Sequence, residues 1–345
     1  MFRIEGQRMK KIHRAGLFEL AKSLVDIPSV TGDEAALADF LCALLAEEQF
    51  DVRSQDVEAG RRNLLAVLGD APAVILCTHM DTVPDWVAAG EDDVFLYGRG
   101  ACDAKGILAA MIVAAGELRD EGLKDIGLLF LVGEETDSIG AKKANLMSPG
   151  SKFIIVGEPT GNKLGTAHKG VLTLALTARG KAAHSAYPER GESAILKLLD
   201  VLSDIRKLDF GRDPVLGPTA MNVGRISGGT ASNVIPGTAE AVLSFRTGVS
   251  PDLVLSGIRS ATAGRADIEV RAKSQPQVLF TPAGFPSELM PYGTDIPYLT
   301  AFGRPLLLGP GSVLDAHVEN ERVEKRQLEE AVAIYKRLVR RLIEE

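Results

Sequence analysis

The hydrophobic positions change period several times along the chain. Leu17, Leu20, Leu24 and Val25 share one helical stripe, and Leu37, Phe40, Leu41, Leu44 and Leu45 share a second. That spacing predicts helices over 17–27 and 34–48, with Asp33 placed to cap the second. Short, almost wholly apolar runs follow at 64–68, 74–77, 127–132 and 153–156, separated by helical stretches at 106–118 and 138–146. Runs this short and apolar suit strands covered on both faces. Their alternation with helices predicts an α/β domain with a mixed, largely parallel sheet.

From about residue 168 the pattern is different. Residues 171–178 alternate in a half-buried way. A helix is expected over 191–206, strands near 219–227 and 238–246, a helix over 251–263 and a strand near 267–272. That order, βαββαβ, is the split motif of a ferredoxin-like α+β sandwich. Residues 276–345 return to mixed elements and close with an amphipathic helix over about 321–343. The expected organisation is an α/β domain of residues 1–168 and 276–345 with an α+β domain of residues 169–275 inserted in it.

Composition narrows the function classes. The 345 residues are 46% hydrophobic and 25% charged, the balance of a globular protein. With 39 basic against 46 acidic residues the net charge is −7, which argues against general nucleic-acid binding. No apolar run approaches the roughly 20 residues of a membrane helix. The N-terminal MFRIEGQRMKKIHRAG is basic without an apolar centre, so no signal peptide is expected and a cytoplasmic location is. Met9 is an alternative start to Met1. Cys42, Cys77 and Cys102 are odd in number with no C-x-x-C pair, which argues against a disulfide framework or thiolate metal site; all three are expected to be buried thiols.

The polar residues that carry chemistry follow the apolar runs. His79 stands after the run at 74–77, where ligands bind in α/β sheets, and Asp81 is spaced to accept its second N–H. Gly98 and Gly100 allow a tight turn that presents Asp103, which could otherwise cap the next helix. Glu134 and Glu135 follow the run at 127–132. As neighbours they point different ways, so one can bind a metal and the other face the substrate as a base. Glu158 follows 153–156 between Gly157 and Pro159. Gly309-Pro-Gly311-Ser312 follows Leu306–Leu308 and leads to His317; its backbone N–H groups are placed to receive a carboxylate. Each has a bland alternative, such as a strand-end hydrogen bond or a solvated acidic turn. Together, His79, Asp103, Glu135, Glu158 and His317 are two imidazoles and three carboxylates suited to Zn²⁺, Co²⁺ or Mn²⁺, and with one carboxylate bridging they can hold two ions. The chain lacks a G-x-S-x-G elbow and an H-E-x-x-H motif.

In order along the chain, His79-Met-Asp81-Thr-Val, Gly98-Arg-Gly-Ala-Cys-Asp103-Ala-Lys-Gly, Gly133-Glu-Glu135, Gly157-Glu-Pro-Thr160 and Gly309-Pro-Gly…His317 resemble the M20 metallopeptidase family. That family includes acetylornithine deacetylase, succinyl-diaminopimelate desuccinylase, LysW-lysine hydrolase, aminoacylases and carboxypeptidases. The resemblance implies two zinc ions, one held by His79, Asp103 and Glu158 and the other by Asp103, Glu135 and His317. It implies Glu134 as general base, Asp81 behind His79, and a cis peptide after Asp103. In the inserted lid or dimerisation domain it implies His184 as an oxyanion-stabilising residue, often acting on the partner subunit, and Asn233 and Arg246 as substrate contacts. Gly309, Gly311 and Ser312 would bind the same substrate carboxylate.

The segment 84–95 is short, acidic at Glu91-Asp92-Asp93, and lacks the Trp-x-x-x-Pro-Phe pattern of larger members. This compactness leans towards the acetylornithine or LysW-lysine enzymes. The expected activity is therefore removal of an acyl group from an N-acyl amino acid, N-acetylornithine foremost, by a homodimer. A di- or tripeptidase or carboxypeptidase is the alternative within the same chemistry. A catalytically silent binding protein and a metal-free serine hydrolase are the alternatives outside it.

Overall fold

The computed structural model describes residues 16–345; the expectations about Met1 and Met9 lie outside them. Two compact units emerge. The larger runs through Thr166 and resumes over Leu279–Glu288 and Thr294–Glu345, while the smaller comprises Ala167–Val278 and Leu289–Gly293.

The larger unit is built on a six-stranded sheet, in the spatial order Asp51–Glu58, Arg61–Val67, Ile126–Leu131, Val74–His79, Phe153–Val156 and Arg304–Leu307. The last four are parallel, and the first two form an antiparallel edge. Leu64, Ala66, Leu76, Leu128 and Phe130 pack into one core with Leu20, Leu37, Leu108 and Tyr335 from four helices. Their alternates Leu65, Ile75, Leu129 and Leu131 are fully buried as well. Burial of both faces explains why these strands read as continuous apolar runs rather than alternating ones. The helix Lys105–Asp120 is buried along almost its whole length, and its alanines and glycines let neighbours approach closely. Lys336 of the final helix reaches Glu117 at 2.6 Å.

The parallel registers align the strand ends. His79 lies opposite Leu131, Cys77 opposite Val156, and Val156 opposite Leu307. The segments bearing His79, Glu134 and Glu135, Glu158 and the approach to His317 therefore all leave the sheet at its carboxyl edge, the binding edge of such sheets.

The smaller unit is a four-stranded antiparallel sheet in the order Ala220–Gly228, Thr238–Thr247, Gly170–Arg179, Asp267–Ser274. The helices Ala194–Arg206 and Pro251–Thr262 bury Leu198, Val201, Val254 and Ile258 against Leu172, Leu174, Leu243 and Phe245. In chain order this is β-α-β-β-α-β.

Several local expectations differ. Asp33 does not cap the second helix, which begins at Ala35 behind Glu34 and has no side-chain cap. The final helix starts at Lys325, because Arg322–Glu324 instead pairs as a strand with Phe95–Tyr97. Cys42 is half-buried rather than buried; it packs against the core from the margin of its helix's buried face. Among the described residues, no helix is long and apolar enough to cross a membrane.

Candidate metal centre

His79 is the last residue of its strand and is almost wholly buried. Its Nδ1 lies 2.9 Å from the carbonyl oxygen of Asp81. A carbonyl only accepts, so Nδ1 carries the proton and the lone pair of the neutral ring is on Nε2. Nε2 faces Asp103 Oδ1 at 3.0 Å. On the other side of Asp103, its Oδ2 lies 3.4 Å from Nε2 of His317, which is also 2.9 Å from Glu135 Oε1. Ligand atoms of His79, Asp103 and Glu135 all fall within 4.8 Å of one another. Asp103 thus stands between two imidazoles. It does not cap the helix that follows, which has no side-chain cap. The peptide bond between Asp103 and Ala104 is cis.

Asp81 corrects one expectation. Its main-chain carbonyl accepts the His79 Nδ1–H, while its carboxylate is 3.5 Å from Nδ1. The carboxylate instead accepts the backbone N–H groups of Glu134 and Glu135, each at 3.1 Å, and the Thr31 hydroxyl at 2.7 Å. The turn at Gly133 aims both amides at it. Asp81 therefore fixes the tandem glutamates as well as the histidine. Burial pushes its carboxyl up, but His79, Thr31 and the Glu135 amide outweigh that and hold it below its usual range.

Glu158 is 5% exposed, and its Oε1 has no hydrogen-bond partner. Burial, then the neighbouring carboxylates of Glu134 and Asp103, push its carboxyl well above the usual range. Burial likewise raises Glu134 strongly, with Asp295, Glu135 and Asp103 adding to it against the opposing pull of His79. Burial also opposes charge on Asp103, yet His317 and His79 hold its carboxyl down. His317 is pushed up to about 10 by Asp103 and Glu135. Crowded buried carboxylates of this kind require protons or cations. An orphaned buried carboxylate oxygen, two imidazoles and no thiolate among the converging side chains fit a hard-to-borderline divalent cation.

The expectation for Gly309 and Gly311 is corrected. Gly309 N–H donates to Thr160 Oγ1 at 3.0 Å, and Gly311 N–H donates to Gln327 Oε1 at 2.8 Å. These donors are engaged within the fold and do not await a carboxylate. The glycines serve close packing instead. A Cβ at Gly309 would stand 2.5 Å from the Glu158 carbonyl oxygen, and one at Gly311 would stand 2.5 Å from Cys102 Sγ. Ser312 forms an isolated bridge with Thr160 and accepts the Leu314 N–H on its hydroxyl.

His184, Asn233 and Arg246 belong to the smaller unit. His184 pairs with Val234, and its Nδ1 accepts the Ala186 N–H at 3.1 Å. The Asn233 carbonyl accepts the Ser185 N–H at 3.0 Å. Arg246 lies opposite Ala220 and Val171 in the sheet.

Three residues of the larger unit went unnoticed in the sequence. Thr31 holds Asp81. Glu321 is 2% exposed and bonds the backbone around Asp103. Asp295 is also 2% exposed; its Oδ1 is unpartnered, and burial pushes its carboxyl up to about 7. Each sits in a loop stretch without periodicity, where nothing local marks a distant polar partner.

Residues 75–341 match Peptidase family M20/M25/M40, and the chain belongs to that family. A Schizosaccharomyces pombe protein named as containing a peptidase M20 domain is 38% identical, the alignment covering 94% of this chain and 84% of that one. An Emericella nidulans protein named "Probable carboxypeptidase" is 35% identical, covering 96% and 91%. The crystal structure of aminopeptidase PepT from Bacillus cereus superposes with a TM-score of 0.78 at 22% identity, covering 97% of this chain and all (100%) of that one. Enzymes of the family are metallopeptidases and carboxypeptidases that hydrolyse amide bonds of peptide or amino-acid substrates. They are typically dinuclear metal enzymes, and the His79, Asp103 and Glu135 group fits such a centre.

Proposed function

We propose that the protein is a two-metal peptidase of the carboxypeptidase type that cleaves short peptides. The observation that carries the chemistry is the convergence of His79, Asp103, Glu135 and His317, with Glu158, whose buried Oε1 has no hydrogen-bond partner, beside them. His79, Asp103 and Glu158 would hold one ion, and Asp103, Glu135 and His317 the other, zinc being the ion best suited to the donor set. Bound there, the ions would acidify water and polarise the scissile carbonyl. Glu134 is the proton carrier. Its backbone is fixed by Asp81, and burial raises its carboxyl so that it can take a proton from the attacking water and return it to the leaving amine. His184 as oxyanion partner, Asn233 and Arg246 as substrate contacts, and a homodimer formed through the smaller unit rest on the motif resemblance.

The names of the relatives support peptide cleavage over the N-acetylornithine activity that the chain's compactness suggested. The test is a substrate panel on metal-reconstituted protein, with dipeptides, tripeptides and N-acyl amino acids including N-acetylornithine. Peptides are expected to have the higher kcat/KM; a preference for N-acetylornithine would return the deacylase reading. In the same assay, Glu134→Gln should lower kcat by about 10²–10⁴-fold with metal content intact. Undiminished turnover would refute the base assignment.

A further inference from the structure

Glu321 is a buried residue that no part of the proposed chemistry uses, and five of its hydrogen bonds converge on the segment before the Lys105 helix. Its Oε1 accepts three backbone N–H groups, from Gly100 at 3.0 Å, Cys102 at 3.1 Å and Asp103 at 3.0 Å. Its Oε2 accepts Nη1 of Arg99 at 2.6 Å. Its main-chain carbonyl accepts the Gly98 N–H at 3.0 Å. Arg99 is itself tied by Nε to the Asp85 carbonyl at 3.1 Å. A neutral side chain cannot reproduce this set. Glutamine offers one oxygen to the three amides but turns an NH₂ against the guanidinium.

We propose that Glu321 is the positioning residue for Asp103, and that it ties the turn bearing the shared carboxylate to the segment bearing His317, four residues upstream of it. One of the three amides on Oε1 is that of Asp103 itself, so the carboxylate sets where the Asp103 main chain stands. The Asp103 side chain then faces His79 and His317 from that fixed point. His317 has a left-handed backbone, φ 59°, which turns the chain between the imidazole and Glu321. The segment thus delivers a ligand at one end and the anchor of the other ligand at its far end.

This inference rests on the reading of the centre as a metal site, and the experiment separates the two. Stepwise Zn²⁺ and Mn²⁺ affinities of the chelator-stripped protein are measured by competition with a chromogenic chelator for wild type, Glu321→Gln and Arg99→Gln, alongside the unfolding temperature of each apoprotein. Groups behind metal ligands are typically worth about 10–100-fold in affinity, and Glu321→Gln should weaken both steps by that much, because Asp103 is shared. Arg99→Gln leaves the three amide bonds in place; it should lower the unfolding temperature while holding the affinities within about threefold, under 1 kcal/mol. A purely structural role for Glu321 would lower only the unfolding temperature. Wild-type affinities in Glu321→Gln would overturn the inference and leave the metal site standing, whereas a wild-type protein that binds neither ion would end both. If Glu321→Gln does not fold, amide hydrogen exchange of wild-type apoprotein decides. Slow exchange at Gly100, Cys102 and Asp103 supports the anchor, and exchange as fast as that of exposed loop amides overturns it.

Discussion

Replacing Asp81 by asparagine tests how the tandem glutamates are held. The substitution keeps size and shape but turns one acceptor oxygen into a donor. If the new NH₂ takes the place of Oδ1, the Glu134 amide, now 3.1 Å from that oxygen, loses its acceptor. If it takes the place of Oδ2, the Glu135 amide, also at 3.1 Å, loses its acceptor, while the Thr31 hydroxyl can rotate to accept. Either way one backbone N–H is stranded in a site where Asp81 is fully buried. A hydrogen bond to a charged group contributes about 1.5–3 kcal/mol, and a stranded buried amide costs about 1–3 kcal/mol. These figures describe the same lost contact and overlap; adding the weakening of the surviving bonds, the expected loss is about 2–4 kcal/mol. Urea unfolding of the chelator-treated protein measures it without a contribution from bound ions. Activity of the reloaded enzyme should fall about 10²-fold, since a displacement near 1 Å of Glu134 is enough for that. Stability within about 0.5 kcal/mol of wild type, the ordinary scatter of surface substitutions, would refute the claim that Asp81 holds this turn.

Two further outcomes are expected. Gly309→Ala places a methyl group 2.5 Å from the Glu158 carbonyl oxygen, a backbone atom that cannot swing aside, so the Glu158 segment must shift. Stability should drop by about 1–3 kcal/mol with a loss of bound metal, and a variant that melts and binds metal as wild type does would exclude the packing role. His168 is fully buried with Nδ1 on the Lys169 carbonyl at 3.1 Å, and burial holds its pKa below the usual imidazole value, outweighing that carbonyl. Below about pH 6.5 the unfolded chain then binds the extra proton, so stability falls as pH falls from there towards the depressed folded value. His168→Asn should flatten that slope in urea titrations between neutral pH and pH 5; an unchanged slope would show that His168 does not carry it.

The parts of the molecule that were legible in the sequence are those where one physical demand dominates. The central strands are buried on both faces, so 74–77, 127–132 and 153–156 could only be apolar runs, and the polar residues at their carboxyl ends, His79, Glu135 and Glu158, stand out in the sequence. The strand Asp51–Glu58 escaped notice because it is a sheet edge, largely exposed and carrying Asp51, Arg53, Asp56 and Glu58, the charges that protect an edge from further pairing. The Gly309 loop was misread for a related reason: glycines that free N–H groups for a ligand and glycines that permit close packing look alike until their neighbours are known. Glu321 and Thr31 are separated from the groups they hold by 218 and 50 positions. Such contacts leave no local trace in a chain.

The order of the larger unit has a consequence for biosynthesis. His79, Asp103, Glu135 and Glu158 precede the whole smaller unit, whereas His317, the strand Arg304–Leu307 and the helix Lys325–Ile343 follow it. At about 5–20 residues per second, a ribosome needs roughly ten to thirty seconds between Glu158 and His317. For that interval the nascent polypeptide carries the centre's acids with only one of its two imidazoles, while the contiguous sheet at 170–274 is free to fold. Convergence of the five side chains is thereby deferred until His317 has been made and the helix Lys325–Ile343 can pack.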